Sequence, residues 1–365
     1  MLFLNANMGC CETKWVEGPD TPPSVGPKKI DLNTEVSRRG VLKGMAALVA
    51  SLATGRVHAA AELKQIKLAF CSQLLCVIPY EVTRSAGFFR DEGLEVELVY
   101  SRGGNAAMQA LVGGAVDYAA TAFDVALQAY ANGANIRRFA STGRLPLFAL
   151  VTAPNRAAEL VDLKKLEGHT VGISGLGNAD HALVLYLLAK AGADPAKVQF
   201  ATLGPNISEA LRLGQIDAGM VQEPALGRAV KAGSRVLVNF MVLADSEKYL
   251  GGPYEFMGVA VRASELDARR KEMAALSRAL QHGLTRVQSA PASELVAALP
   301  RELTAGADMN ELVTVVDRYR HSLYPTRVAI DVAACDRVAQ SLKIGGLLKS
   351  NVNAESVLDL SISGS

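Results

Sequence analysis

The sequence has few cysteines, few aromatic residues and no excess of either charge. Five cysteines among 365 residues are too few for a disulfide scaffold. The 38 Lys and Arg residues are nearly balanced by 36 Asp and Glu residues, and from Glu62 onward the two signs are equal. Nucleic-acid-binding proteins carry a basic excess on some face, so this balance gives no support for such a partner. Half of the residues are apolar, which excludes a disordered or fibrous chain.

Motifs for metals, nucleotides and serine hydrolysis are also missing. The five histidines are scattered and show no metal-ligand spacing, so we expect neither a metal nor a cofactor. The glycine-rich stretch 172–180 fits neither the dinucleotide-binding fingerprint nor a P-loop. The chain also lacks the G-x-S-x-G element of the α/β-hydrolases.

The amino-terminal segment has the layout of a cleavable export signal. Residues 37–43, SRRGVLK, are followed by an apolar run of about eleven residues and by the small-residue stretch 57–61. The first of these resembles the twin-arginine signal S/T-R-R-x-F-L-K, with Val41 where Phe is usual. The apolar run is too short for a bilayer anchor, which needs about 20 residues. We therefore predict a leader over 1–61 and a periplasmic mature protein, with an amphipathic helix of a cytosolic protein as the alternative.

A segment near residue 110 recurs one hundred residues later. Residues 110–119, ALVGGAVDYA, and 210–219, ALRLGQIDAG, share an Ala-Leu pair, a glycine and an apolar-Asp pair. In each half, a short apolar run ahead of this segment leads into a serine, Ser72 or Ser174. A period of this length is too long for a solenoid. It predicts two similar α/β lobes of β-α-β-α-β order with mostly parallel sheets.

Lobe 1 is predicted to consist of two chain segments that flank lobe 2 in the sequence. The second repeat ends near Asn239, and a strand-like run and a long helical stretch follow it. We therefore expect lobe 1 to be discontinuous, with hinge crossings at Thr152–Asn155 and Pro253–Tyr254. The predicted bounds are a leader over 1–61, lobe 1 over 62–152 and 254–365, and lobe 2 over 153–253.

Polar residues follow the predicted strands of both lobes. In open parallel sheets, ligands bind beyond the carboxyl ends of the strands, where helix amino termini point. A cleft between the lobes would bring these residues together, although any single Ser or Asn among them is also a good helix N-cap. The candidate ligand-binding residues are Ser72, Gln73, Thr121, Ala122, Phe123, Ser174, Gly175, Asn178, Asn206, Gln222 and Glu223.

An ordered set of motifs from residue 63 to 360 resembles the nitrate/taurine/aliphatic-sulfonate class of ABC-transporter periplasmic binding proteins. The resemblance implies a type II periplasmic binding protein fold whose two lobes close on a small solute and deliver it to a membrane permease, without catalysis. We expect a monomer. One departure is Gln222, where many relatives carry an aromatic residue. The matching segments are 86–94, 114–119, 168–174, 214–218, 223–224 and 344–348.

An exported enzyme on the same fold is the alternative function. Related folds include desulfinases with a cysteine nucleophile, and Cys71 and Cys76 flank the predicted cleft. A reactive cysteine needs a basic neighbour to lower its pKa, and none follows within seven residues. We therefore favour a short-loop disulfide between the two, leaving Cys335 free, or two buried thiols.

Two charged residues influence which class of solute we predict. Arg144 follows a strand-like stretch and would hold a sulfonate or carboxylate if it reached the cleft; otherwise it is an exposed arginine. Glu223 would favour an amine such as that of taurine, or would cap its own helix. The sequence thus predicts a small polar or anionic solute of the sulfonate, taurine or nitrate kind.

Overall fold

The computed structural model describes residues 62–348 and 352–362, and ten strands lie in this part of the chain. Alternating or continuous apolar residues mark them, as the strand KQIKLAFC illustrates. The strands are β1 Lys64–Cys71, β2 Leu94–Ser101, β3 Tyr118–Ala122, β4 Ile136–Ser141, β5 Ala149–Thr152, β6 Thr170–Ile173, β7 Gln199–Thr202, β8 Ala218–Val221, β9 Val236–Asn239 and β10 Met257–Arg262.

The strands form two five-stranded sheets of matching design. The first has the order β2-β1-β3-β10-β4 and the second the order β7-β6-β8-β5-β9. In each sheet four strands point the same way, and one, β10 or β5, runs antiparallel to both of its neighbours. We call the part built on the first sheet lobe 1 and the part built on the second sheet lobe 2. The central strands of the two sheets, β3 and β8, are buried along their whole length.

Helices cover the sheets, and within the described residues none is long and apolar enough to cross a membrane. The longest helix packs against the first, where Gly283 is required because a Cβ there would collide with Thr83. The helices are α1 Leu74–Ser85, α2 Phe88–Asp91, α3 Gly104–Val112, α4 Phe123–Ala131, α5 Ala179–Lys190, α6 Ile207–Arg212, α7 Ala225–Lys231, α8 Leu243–Leu250, α9 Leu266–Ser289, α10 Ala292–Ala297, α11 Arg301–Thr304, α12 Met309–Leu323 and α13 Val332–Ile344.

The sequence repeat corresponds to a repeated structural contact. Asp117 precedes β3, and its Oδ2 accepts the Lys67 N–H of β1 at 2.7 Å. Asp217 precedes β8, and its Oδ2 accepts the Thr170 N–H of β6 at 2.9 Å. Each aspartate thus joins the starts of two parallel strands by a charge-assisted hydrogen bond. The role of this repeated residue is structural.

The first crossing between the lobes lies earlier than the predicted 152–155. Ala149–Thr152, assigned to lobe 1 from the sequence, is strand β5 of the second sheet, and it pairs with β8 and β9. The chain therefore leaves the first sheet after Ser141 and re-enters it at Met257. The repeat does not predict this crossing correctly. Strand β5 precedes the second repeated unit, and no equivalent strand of the described chain precedes the first unit.

Candidate functional site

A cavity of about 30 Å³ lies where strands of both sheets end. Its wall combines hydroxyl, amide and carboxyl groups with aromatic and sulfur-containing side chains. Because both lobes contribute residues, the cavity lies in the cleft between them. The lining residues are Cys71, Gln73, Cys76, Gly103, Gly104, Thr121, Ala122, Val125, Phe148, Ser174, Asn178, Ala179, Asp180, Phe256 and Met257.

The topology explains which residues reach this cavity. Parallel strands β1, β3 and β6 end here, and they supply Cys71, Thr121 and the residue after β6, Ser174. Strands β5 and β10 run the opposite way, so their amino ends lie at the same edge. They therefore bring Phe148 and Met257 to a site that otherwise consists of strand carboxyl ends.

Hydrogen bonds cross directly between the lobes around the cavity. The amide of Gln222 in lobe 2 donates to Gln73 Oε1 in lobe 1. On the other side, the Asn105 N–H donates to Asn178 Oδ1 at 3.4 Å, and Gln128 Nε2 donates to the Gly177 carbonyl at 3.0 Å. The two lobes are thus closed on each other in this structure.

Lobe 2 presents a carboxylate held in place by its own loop. Asp180 lies in the first turn of α5, and its Oδ1 accepts the Ser174 hydroxyl at 2.7 Å while Oδ2 accepts the Ser174 N–H. Asn178 Nδ2 donates to the same hydroxyl at 3.1 Å. Burial raises the pKa of Asp180, and these hydrogen bonds to its charged form oppose the rise.

Lobe 1 has a second carboxyl group close behind the cavity. Asp124, in the first turn of α4, is fully buried; its Oδ1 accepts the Val125 N–H at 2.8 Å, and its Oδ2 has no hydrogen-bond partner. Burial raises the pKa of Asp124 to about 7, and the negative charge of Asp180 acts in the same direction. The two carboxyl groups therefore interact across the cleft.

A buried ion pair supports the lobe 1 wall. Arg138 Nη1 donates to the Thr121 carbonyl at 3.0 Å, and Nη2 donates to the Phe256 carbonyl at 2.8 Å and to Glu255 Oε1 at 3.0 Å. Arg138 is fully buried, and Glu255 is only 2% exposed. Gly258 is required beside them because a Cβ there would collide with the Arg138 guanidinium. Arg138 thus fixes the backbone of two residues that line the cavity.

Comparison with known protein families assigns this two-lobed chain to one of them. The model of the family described as NMT1/THI5 like matches residues 76–294, more than half of the chain. The chain belongs to the NMT1/THI5-like family. A curated relative, the putative binding protein YtlA of Bacillus subtilis, is 24% identical over 274 residues, which cover 72% of this chain and 78% of that protein.

Solved structures similar to this NMT1/THI5-like chain share its fold. A Bordetella bronchiseptica protein has a TM-score of 0.75 at 24% identity, covering 83% of this chain and 96% of its own. The alkanesulfonate-binding protein SsuA of Xanthomonas axonopodis has a TM-score of 0.64 at 18% identity, covering 82% and 99%. The periplasmic nitrate-binding protein NrtA of Synechocystis has a TM-score of 0.65 at 16% identity, covering 82% and 87%. The predicted fold class and the predicted resemblance are confirmed.

The structure places some of the predicted site residues at the cavity. Gln222 contacts it through Gln73, and Gly175 lies against Asn178, because a Cβ on Gly175 would meet Asn178 Nδ2 at 2.8 Å. Phe123 is fully buried beneath the wall, with the Arg138 guanidinium 5.3 Å from its ring centre. The predicted residues that line the cavity are Gln73, Thr121, Ala122, Ser174 and Asn178.

Four predicted residues lie elsewhere. Ser72 is exposed and donates to the Ser101 carbonyl, while Asn206 is exposed at the start of α6. Arg144 Nε donates to the Ser322 carbonyl at 3.0 Å, and its Nη2 donates to the neighbouring His321 carbonyl, so its guanidinium is turned away from the cleft. Glu223 Oε2 accepts the Gly227 N–H at 2.9 Å, which is the helix-capping role rather than a solute contact.

Other lining residues were missed. The sequence does not single out Asp180, because an aspartate in a first helical turn has an ordinary role there. Phe148, Phe256 and Met257 were missed because the sequence gives no sign that the strands they begin run antiparallel. Gly103 and Gly104 carry the clearest overlooked signal, since adjacent glycines before a helix allow a close approach of backbone and ligand.

The predicted disulfide between Cys71 and Cys76 is wrong: both are free, buried thiols, as is Cys335. Burial raises the pKa of the Cys76 thiol well above its usual value, and its hydrogen bond with Cys71 acts in the same direction. The sulfur atoms of both residues line the cavity as soft, polarizable groups. Among the described residues, no cluster of three or more His, Cys, Asp or Glu side chains is suited to a metal ion.

The thiol content of the protein without residues 1–61 tests this correction. We expect three free thiols per chain when the denatured, unreduced protein is titrated with a thiol reagent, because all three cysteines from residue 62 onward are unbridged. The same titration after reduction is the control and should give the same number. A count of one before reduction and three after it would restore the disulfide.

Proposed function

We propose that this protein is the non-catalytic solute-binding component of an ABC importer, which takes a small polar organic solute into the interlobe cavity and passes it to a membrane permease. The observation that carries the proposal is the closure of two similar lobes, through direct hydrogen bonds, over a cavity that both of them line. Closure of this kind buries a solute and gives the permease one surface that reports occupancy. We propose that it works as a monomer and without nucleic acid.

The chemistry of the cavity favours binding over catalysis. The enzyme hypothesis needs a thiolate at Cys71 or Cys76, and burial holds the Cys76 thiol protonated. Among the described residues that line the cavity, there is no histidine or lysine to accept its proton. General acid–base chemistry needs a proton acceptor within hydrogen-bond reach, and Asp180 already accepts two hydrogen bonds from Ser174.

The finer proposal of a sulfonate-, taurine- or nitrate-like solute has lost its main support from this chain. It depended on Arg144 reaching the cleft, and the guanidinium of Arg144 donates to two carbonyls outside it. The likeness to SsuA and NrtA supports the fold and the mode of binding. The solute class is better argued from the lining residues themselves.

Retention of a solute from a small-molecule extract tests the function. The protein is unfolded to release anything bound, refolded, incubated with the extract and dialysed, and the retained material is analysed by mass spectrometry. We expect one solute, retained in stoichiometric amount and recovered with unchanged mass after denaturation. A converted product would favour the enzyme alternative, and a protein that retains nothing would contradict the proposal.

Two serines that follow equivalent strands, Ser72 and Ser174, provide a test variant and a matched control for measuring the affinity of the retained solute. Ser174→Ala removes a cavity hydroxyl that also holds Asp180 in place. We expect binding to weaken about tenfold, because the solute loses a polar contact and the carboxylate loses its fixed position. Ser72→Ala changes an exposed hydroxyl outside the cavity and should leave affinity unchanged. Calorimetry measures both. Equal affinities for the two variants would remove the cavity as the binding site.

Export through the twin-arginine pathway is proposed from the sequence, and its signal lies outside the described residues. We expect that changing Arg38 and Arg39 together to Lys will leave the full-length precursor in the cytoplasm, because this pathway requires the arginine pair. Cell fractionation with an antibody measures the distribution. Changing Lys28 and Lys29 together to Arg is the control and should not affect export. Periplasmic delivery of the Arg38/Arg39 variant at the normal level would contradict the proposal.

A further inference from the structure

The wall of the cavity contains acidic and neutral groups and no cation. Of the residues that line it within the described part of the chain, none is arginine, lysine or histidine, and Asp180 is the one carboxylic acid. An anionic solute in such a site would lose its hydration without gaining a positive partner. The lining therefore opposes a sulfonate, carboxylate or nitrate.

Three cationic side chains around the cavity are engaged with other groups, and Arg102, which precedes the lining residue Gly103, is exposed. Arg138 is paired with Glu255 and bonded to two carbonyls, and Arg144 is turned to the opposite side. His181 is largely buried, its Nδ1 accepts the Gly177 N–H at 3.1 Å, and burial lowers its pKa, so it remains uncharged. None of the three supplies a free positive charge.

Four helix amino termini, those of α1, α3, α4 and α5, border the cavity, and two of them carry an acid in the first turn. Helices α4 and α5 begin at the cavity, and their partial positive charges would attract an anion. Asp124 lies in the first turn of α4 and Asp180 in the first turn of α5. At α4 and α5, an ionised first-turn carboxylate would exceed the roughly half positive charge of its own helix end.

Two buried oxygen atoms of lobe 1 have no hydrogen-bond partner, and one of them lines the cavity. Thr121 is 1% exposed, lines the cavity, and its Oγ1 makes no hydrogen bond; Asp124 Oδ2 is likewise buried and unpartnered. Buried polar atoms are normally hydrogen-bonded, so the unpartnered Thr121 hydroxyl at the cavity wall indicates a group that a solute satisfies. A solute with an N–H donor would satisfy the Thr121 hydroxyl.

The remaining wall is apolar. Phe148, Phe256 and Met257 form one side of the cavity, and the thiols of Cys71 and Cys76 line it as well. Side chains of this kind suit a compact hydrocarbon body. Because the closed cavity of about 30 Å³ holds only about two water-sized groups, a ring-sized body requires the lobes to part further than they do here. The polar and apolar parts of the wall thus match the two ends of one amphipathic molecule.

We propose that the solute of this cleft is a small organic cation: an ammonium or amidinium group on a compact apolar body, with its charge held between the lobes by Asp180. This inference rests on the proposed solute-binding function and names the class of solute. The cation would replace repulsion between the two carboxyl groups by attraction to both, which favours the closed state. Thr121 would accept a hydrogen bond from the same head group.

A probe series that keeps one ring and changes only the head group tests the proposal. Calorimetry on the leaderless protein would use benzylamine, benzamidine, benzyl alcohol and benzenesulfonate at constant ionic strength. We expect the two cations to bind at least tenfold more tightly than the alcohol and at least a hundredfold more tightly than the sulfonate. A sulfonate that binds as tightly as the amine, or an amine that does not bind at millimolar concentration, would overturn the proposal.

Variants separate charge recognition from mere packing. Asp180→Asn should weaken benzylamine at least tenfold and bring it level with benzyl alcohol. Asp308→Asn is the matched control, because Asp308 also accepts N–H groups at a helix start but lies exposed on α12, and it should retain the selectivity. If Asp180→Asn does not fold, Thr121→Val tests the same head-group site and should weaken the amine severalfold. Undiminished amine binding in the folded variants contradicts the proposal.

The two proposals fail differently. A protein that retains no solute from the extract contradicts the importer function. A protein that retains an anionic or neutral solute supports the importer function and contradicts only the assignment of a cation.

Discussion

Replacing Arg138 with methionine is expected to lower the free energy of unfolding by about 3–5 kcal/mol. The methionine fills much of the same volume but leaves Glu255 buried without its partner, and the carbonyls of Thr121 and Phe256 lose their donors. Burial already raises the pKa of Glu255, and the Arg138 charge opposes that rise. Without the arginine the pKa of Glu255 rises further, so the loss of stability should grow as the pH increases.

Urea unfolding of the wild type and the variant at pH 5.5 and 8 measures this effect. Arg90→Met is the control, because Arg90 pairs with Glu95 at the surface, with side-chain exposures of 68% and 35%, and its loss should change stability little. Adding Glu255→Gln to Arg138→Met should recover part of the loss, because the unpaired charge is then gone. Equal stabilities for the Arg138 and Arg90 variants would show that the buried pair is not needed.

The sequence allowed most of the fold to be predicted, because the information is local and repeated. The apolar runs, the glycines that end helices, and the two Asp residues at 117 and 217 recur with one spacing, and the structure builds the same β-α-β-α-β unit twice. Strand β5 was misplaced because its partners are distant in sequence. A buried run such as Ala149–Thr152 is compatible with either sheet, and only pairing with β8 and β9 assigns it.

The candidate site was predicted in part for the same reason. Strand ends can be located from the sequence, so Thr121 and Ser174 were found. The direction in which a side chain points cannot be located from the sequence. The charge of Arg144 suggests a ligand contact, but its guanidinium donates to backbone carbonyls of α12. Asp180 and Phe256 became candidates only once the antiparallel strand and the closed lobes had placed them at one edge.

Replacing Asp124 with asparagine is expected to make the protein more stable above pH 7 and to flatten its stability profile. In the unfolded chain this carboxyl ionises near 3.8, whereas in the folded protein burial raises its pKa to about 7. The folded state therefore keeps a proton that the unfolded state loses, and stability falls as the pH rises from about 4 to 7. That interval corresponds to about 4 kcal/mol, at about 1.4 kcal/mol per pH unit.

Asparagine has nearly the same shape, and it carries no charge at any pH, so this loss should be absent in Asp124→Asn. The other groups that act on the carboxyl, Asp180 and Arg138, remain in place. Urea unfolding at pH 4.5, 6, 7.5 and 8.5 measures the profiles. They should meet at the lowest pH and separate as the pH rises. Asp267→Asn, at a fully exposed position, is the control and should follow the wild type. Parallel profiles for Asp124→Asn and the wild type would mean that the carboxyl is ionised in the folded protein, because the unfolded state would then bind no more and no fewer protons than the native state at this residue.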